Sequence, residues 1–456
     1  MAVTDSGKSG LSRVVLVAMN EVTHQIIEEL SAAGNLPNFA RLDRTWERYT
    51  TTSEERQEWL EPWIQWPTVH TGKRFGEHGL FKLGDCQGLR CEQIWERLGK
   101  HGIESCVIGS MNATRGTATR GVFIPDWWGS QRDVHPPELL PLWTMLSFLV
   151  QGHATARMTL RDTARLLRCA VGCGLPLTAY ADLAGHAIGY IASPKSRWKS
   201  AGALDLLVFQ LFSALWSRGN FGFGTVFLNA VAHYQHHYWR SYDPRPFGAK
   251  VTYSDLAPGD DPVSWGYTQY DRIVARIIRM AEAPDTLVIL ATALSQAPYT
   301  GAEEIGGEHH YRVADLGAFL GEVGLEPADG SALMSRDFRL KARDAAALNA
   351  ARQKLLGLTV SGEQLFNVTE LSNNALAVST RLARKLDDDA WILNAAGYPV
   401  APFSRHFRCT AIKSGFHNGT GTAWFSRPVR SLLGADKGST IWLGRLFDVT
   451  VDTVLS

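Results

Sequence analysis

Neither an excess of charge nor a long apolar run marks this chain for a particular partner. Its 456 residues carry 46 Lys and Arg against 45 Asp and Glu, a formal charge of +1. Nothing in that balance draws the chain to nucleic acid or to an anionic membrane. There are six cysteines. Cys86 and Cys91, and Cys169 and Cys173, lie close in sequence, but neither pair has the spacing of a zinc knuckle, and so long a chain is no small disulfide scaffold; reduced thiols are expected. No uninterrupted apolar run reaches the roughly 18 residues of a membrane span. The first such run, Val14 to Met19, is too brief even for the core of a signal peptide, which predicts a cytoplasmic protein with no transmembrane segment.

What is present is a strand and helix rhythm. The run Val14 to Met19 is rich in β-branched residues and is followed by Asn20-Glu21-Val22, then by helical periodicity through Ile26, Ile27 and Leu30 to Gly34. A buried strand that gives way to a helix is the opening of a parallel α/β sheet, and ligands gather at the carboxyl ends of such strands, where Asn20 sits. The rhythm returns at residues 91–110, at the strand Thr225 to Leu228, and at the helix and strand spanning Asp271 to Leu290. Between these, helices are expected over 139–150, 163–171, 183–191 and 204–216, interspersed with Arg161, Arg165, Arg168, Lys195 and Arg197. They predict a helical insertion, residues 131–219, that caps a pocket and holds no helix of spanning length; contact with a lipid-like substrate or membrane surface is its second reading. Residues 331–401 break the rhythm with a charged helix, Asp344 to Leu355, and two alternating strands, and read as a small α+β insertion. One α/β core then comprises 1–130, 220–330 and 402–456.

Candidate chemistry falls at four places. In Glu61-Pro62-Trp63-Ile64, Pro62 is suited to the first turn of a helix that stops at Gly72, which puts the Glu61 carboxylate in the field of unpaired N–H groups. After the strand ending at Leu228, His233 precedes His236 by three residues and Asn229 lies one turn earlier, so that all three share a helix face. Neutral imidazoles so spaced bind zinc or a similar metal, or one serves as acid and base; packing on a Trp- and Tyr-rich helix is the bland alternative. His310 and Arg312 suit an anionic group, with a surface loop an equal reading. His417 stands in the Gly-rich segment Ser414 to Gly421.

Four motifs in order, Gly34-Asn35-Leu36-Pro37-Asn38, Thr71-Gly72 followed by His78-Gly79, Gln235-His236 with Trp239, and Gly415-Phe416-His417 with Gly421, resemble the alkaline phosphatase superfamily, especially its type I phosphodiesterase/nucleotide pyrophosphatase branch. The resemblance implies a three-layer α/β/α fold with a mostly parallel central sheet, and a site at which two cations assist phosphoryl transfer. It also exposes departures. Asn20 stands where that family ends its first strand in a metal-binding Asp, Ala232 where it has a second Asp, and Ala291-Thr292-Ala293-Leu294 where it has Ser-Asp-His-Gly. The nucleophile position falls on Pro62 or, shifted by one, on Glu61. His236 and His417 match ligands of the first metal site.

A dinuclear phosphatase is thus not expected. The leading reading is a hydrolase or transferase of a phosphate-containing or other anionic ester, with one zinc or manganese ion on His236, His417 and His233, and with Glu61, His233 and Asn20 as catalytic groups. Trp63, Asn229, His310 and Arg312 would then meet a small-molecule, glycan-linked or lipid-linked substrate. Metal-independent acid/base chemistry on a carbohydrate through Glu61 and a histidine is the alternative, as is an inactive member of the fold.

Overall fold

The computed structural model describes residues 12–129, 131–151, 160–248, 253, 255–332, 336–371 and 374–456; residues 1–11, counted in the core from sequence, lie outside them. Strands β1 (Arg13–Met19), β2 (Glu47–Thr52), β3 (Ser105–Ile108), β4 (Gly121–Ile124), β5 (Phe223–Leu228), β6 (Thr286–Ala291), β7 (Thr420–Phe425) and β8 (Thr440–Trp442) form one sheet in the order β8-β2-β7-β6-β1-β5-β3-β4. Only β7 runs against the rest. β1 lies at the centre, with Met19 opposite Leu228 of β5 and Ala18 opposite Ala291 of β6, so three strand ends meet at one edge. That placement follows from an unbroken apolar run whose residues 14–19 are all buried, as a strand covered on both faces requires.

Helices pack against the sheet as the outer layers of a three-layer α/β/α fold. Arg445–Leu455 rests on β1 beside the helices Pro62–Thr71 and Ile94–Lys100, and Ser200–Arg218 rests on β5 and β3. Pro62–Thr71 is short and almost wholly buried, begins with Pro at its first position, and stops at Gly72, whose φ of 65° lets its N–H close back onto Thr68 O.

The region 131–219 is helical, with helices Leu140–Gln151, Leu160–Gly172, Leu177–Ala192 and Ser200–Arg218. One expectation about it changes. The helical segment Lys195–Arg218 is, by length and composition alone, sufficient to cross a membrane; 56% of its apolar 18-residue stretch is buried. Its apolar residues Val208, Leu211 and Phe212 are buried, and Leu206, Leu207 and Gln210 of the same helix line a cavity of about 140 Å³ with Ala179, Asp182 and His186 of the helix before it.

The small insertion overhangs the carboxyl edge, where its residues line a cavity with Glu61. It has its own apolar cluster, which includes Tyr311, Phe319, Phe338, Phe366 and Phe407 and so begins ahead of residue 331. The cause is a long-range pairing: His309–Val313 lies antiparallel to Phe407–Ile412, which ties the insertion to the chain just before His417. Asp329–Ala332, Asp337–Lys341, Phe366–Leu371 and Ala375–Thr380 form a four-stranded antiparallel sheet within it.

Candidate active site and metal centre

At the end of β1 the backbone enters the left-handed region at Glu21, with φ 56°, a conformation that L side chains other than Asn and Asp seldom adopt. The turn aims a fully buried carboxylate across the strand ends. Both oxygens are held: Asn20 Nδ2 donates to Oε1 at 2.7 Å, and Gln296 Nε2 donates to Oε2. Gln235 Nε2 donates to the backbone oxygen of Glu21 at 2.8 Å.

His236 comes from the helix Ala230–Tyr242, whose first N–H groups are anchored by Asp205: its Oδ2 accepts from Asn229 N at 2.8 Å and Ala230 N at 2.6 Å. The His236 Nδ1 lies 3.1 Å from Gly415 O, and a carbonyl can only accept, so Nδ1 carries the proton and Nε2 faces Glu21 Oε2 at 3.0 Å. His417 arrives on the strand Gly415–Asn418, paired with Ser295–Pro298 so that His417 stands opposite Gln296. Its Nε2 lies 3.3 Å from Glu21 Oε2 and its Nδ1 3.4 Å from Glu61 Oε2. The two imidazole centroids are 4.9 Å apart.

Glu21, His236 and His417 therefore bring one carboxylate and two imidazole donors within 4.8 Å of one another. No other such trio of His, Cys, Asp or Glu occurs among the described residues. The donor set fits a divalent cation such as zinc or manganese: three protein ligands is the number at catalytic zinc sites, and each here has an outer partner, Gly415 O for His236, Glu61 for His417, and Asn20 with Gln296 for Glu21. The electrostatics agree. Burial alone would raise the Glu21 carboxyl, but His417 and His236 outweigh it and hold it far below the ordinary range. Burial opposes charge on His417, yet Glu21 and then Glu61 push it up to about 8. Glu61 itself is raised by burial, against the pull of His417.

The residues singled out from sequence divide accordingly. Glu61, His236 and His417 meet. Asn20 is wholly buried: besides its bond to Glu21, its Oδ1 accepts from Trp66 Nε1 at 2.8 Å and its Nδ2 also donates to Asn229 Oδ1 at 2.8 Å. Asn229 is thus a second support behind Glu21. His233 stands outside the trio, because three residues along a helix rotate it by about 60° from His236; its ring packs against His237, 4.2 Å between centroids, and burial pushes it down to about 4. His310 and Arg312 lie on the strand His309–Val313, where His310 Nε2 pairs with Glu308 at 3.2 Å. Trp63 donates from Nε1 to Phe81 O at 3.1 Å and, with Glu61, lines a cavity of about 360 Å³ that opens beneath the small insertion.

The sequence reading missed Glu21 and Gln296. The signal for Glu21 was an acid one residue beyond Asn20, obscured by aligning the strand end with the family's Asp. Gln296 follows the segment Ala291 to Leu294, and its Nε2 also donates to Ala232 O at 3.0 Å, the backbone of the very position that lacks the second Asp. Pro62 supplies no nucleophile, and the Thr68 hydroxyl is turned into its own helix, 3.4 Å from Ile64 O.

No family model matches the chain, and no curated protein matches it. Solved structures similar to it along nearly its full length belong to the alkaline phosphatase superfamily. They include phosphonoacetate hydrolase from Sinorhizobium meliloti in complex with phosphonoformate, 12% identical over 98% of this chain and 96% of that one, with a TM-score of 0.44. Murine ectonucleotide pyrophosphatase/phosphodiesterase 5 is 9% identical over 97% of this chain and 95% of that one, with a TM-score of 0.39. Alkaline phosphatase from the Antarctic bacterium TAB5 is 10% identical over 98% of both chains, with a TM-score of 0.39.

Proposed function

We propose that the chain is a hydrolase or transferase acting on a phosphate-containing or related anionic ester through a single divalent cation. The observation that carries this reading is the meeting of Glu21, His236 and His417, from three distant segments, beside Glu61 at the mouth of a cavity. When bound, the cation would supply Lewis-acid assistance to an ester or water oxygen. Glu21 Oε2, His236 Nε2 and His417 Nε2 would hold it. Glu61 is the group placed to move a proton: it is partly exposed to the cavity, its carboxyl is raised by burial, and its Oε2 faces His417 Nδ1. Its neighbour Trp63 orients the organic part of the ester.

Calorimetric titration of chelator-treated protein with zinc or manganese chloride, followed by assay on bis(p-nitrophenyl) phosphate, tests the reading. One equivalent of bound metal that restores turnover is expected; no binding and turnover indifferent to chelator would sink it. The second reading is metal-independent acid/base catalysis by Glu61 and His417. It is favoured by the balance of charge already present, one imidazolium between two carboxylates. Chelator-insensitive turnover that Glu61→Gln abolishes would identify it.

A further inference from the structure

The four-stranded sheet of the small insertion has two unlike faces. Phe338, Leu340, Phe366, Leu376 and Val378 point into the insertion's own core. The alternate residues do not simply face solvent: Ser331, Asp337, Arg339, Asn367, Thr369 and Ser379 line the cavity shared with Glu61. Strand pairing sets them in rows. Asn367, Ser379 and Asp337 stand side by side across three strands, and the next row runs Thr369, Ala377, Arg339 and Ser331. Neighbours in such a row are about 5 Å apart. The Arg339 guanidinium makes no ion pair or hydrogen bond among the described residues, so its donors are open to a ligand. The opposite wall, from the core, is aromatic: Trp63, Phe81 and Trp128, with Phe81 45% exposed.

An aromatic wall facing a two-row array of hydroxyl, amide, carboxylate and guanidinium groups is what a ring with an apolar face and hydroxyls around its rim requires. From this we infer that the cavity receives a glycosyl or polyol unit of the substrate, stacked on Trp63, Phe81 and Trp128 and hydrogen-bonded to Asn367, Asp337, Ser379 and Arg339. A nucleobase presents polar atoms on its edge only, and would leave much of the array unmatched. A polyphosphate is poorly suited too, because the lining holds the four carboxylates Glu58, Glu61, Asp85 and Asp337 against the two cations Lys82 and Arg339. The volume, about 360 Å³, admits a unit of one or two rings. This deepens the ester reading by naming the organic half of the ester and rests on it for that role; the binding itself does not depend on a metal.

The experiment is saturation-transfer NMR on the chelator-treated full-length protein. The probes are the methyl α-glycosides of glucose, galactose, mannose and N-acetylglucosamine, myo-inositol, and AMP for comparison, each at millimolar concentration. Saturation of ring protons of at least one glycoside or of inositol is expected, reduced at least fivefold in Asn367→Leu and in Arg339→Leu, with thermal melting confirming that both variants fold. Signals from AMP adenine protons in place of sugar protons, silence from every sugar and from inositol, or unchanged signals in both variants would each overturn the inference. Because metal is absent throughout, failure here leaves the metal titration untouched, and failure of the titration leaves this result standing.

Discussion

One imidazole serves two carboxylates: His417 Nε2 lies 3.3 Å from Glu21 Oε2, and Nδ1 of the same ring lies 3.4 Å from Glu61. Glu21 is buried and His417 is the imidazolium beside it, so His417→Ala leaves the acid without that counter-charge, held by the Asn20 and Gln296 amides. The metal-free variant should lose about 3 kcal/mol of unfolding free energy, and zinc affinity should fall at least a hundredfold. Urea denaturation and calorimetry check the two; a variant as stable as the parent would refute the coupling.

Asn20 is wholly buried and donates to Glu21, so its effect on metal binding should run through that carboxylate. Removal of its amide in Asn20→Ala should weaken zinc binding by about 10- to 100-fold, the usual effect of losing an outer partner. Asn20→Asp should not restore it, since two adjacent carboxylates would repel and Nδ2, which donates to both Glu21 and Asn229, would be lost. Zinc affinity equal to the parent in Asn20→Ala would show that Gln296 alone suffices to orient the acid.

Glu61→Gln separates holding from reacting. It keeps the shape of the cavity mouth and leaves Glu21, His236 and His417 in place. Zinc affinity should change by no more than a few fold while turnover falls by about 10² to 10⁴, the usual worth of a positioned acid or base. Steady-state kinetics on the same ester decide the matter, with unchanged kcat the damaging result.

Acid stability should depend on buried histidines, among them His70 and His78 outside the site. His70 packs between Trp66 and Trp95, and burial pushes it down to about 3; His78 is buried and pushed down to about 4. Both are neutral when folded, whereas the unfolded chain takes up protons below about 6.5. Stability is therefore complete above pH 6.5 and declines as pH falls toward the folded values. Each contributes about 2 kcal/mol of loss at pH 5. Urea midpoints at pH 7 and pH 5 should converge by about that amount in His70→Leu; an unaltered gap would refute the assignment.

Asp205 caps the helix that carries His236 and also accepts from the Tyr270 hydroxyl at 2.6 Å. Asp205→Ala leaves two N–H groups and a buried hydroxyl without that acceptor, and should cost about 3 kcal/mol. Thermal unfolding measures it.

Much of the architecture was legible because its signals are local. The unbroken apolar run of β1, Pro62 and Gly72 at the ends of one helix, and the histidines placed after strands all declare themselves within a dozen residues. His236 and His417 could be matched to each other through the family resemblance. Glu21 could not, since nothing in Met19-Asn20-Glu21 announces a left-handed turn at a glutamate; that conformation is imposed by Thr292 O, Gln235 and Gln296, which arrive from other segments. The expectation that no helix reaches spanning length failed because the turn Pro194–Lys199 runs on into Ser200–Arg218. The start of the small insertion depended on a pairing between 309–313 and 407–412 that no local pattern displays.

The left-handed backbone at position 21 has one further consequence. Glycine would rest there without strain, and Asn or Asp with less than Glu, so the fold alone gives no reason for the longest acidic side chain at its central strand end. Shortening the arm to Asp would ease the main chain by up to about 1 kcal/mol while withdrawing the carboxylate from both imidazoles. Backbone ease and chemistry are opposed at this position: a Glu21→Gly variant would relax the main chain while losing the carboxylate that meets both imidazoles, and calorimetry should find that it no longer retains metal.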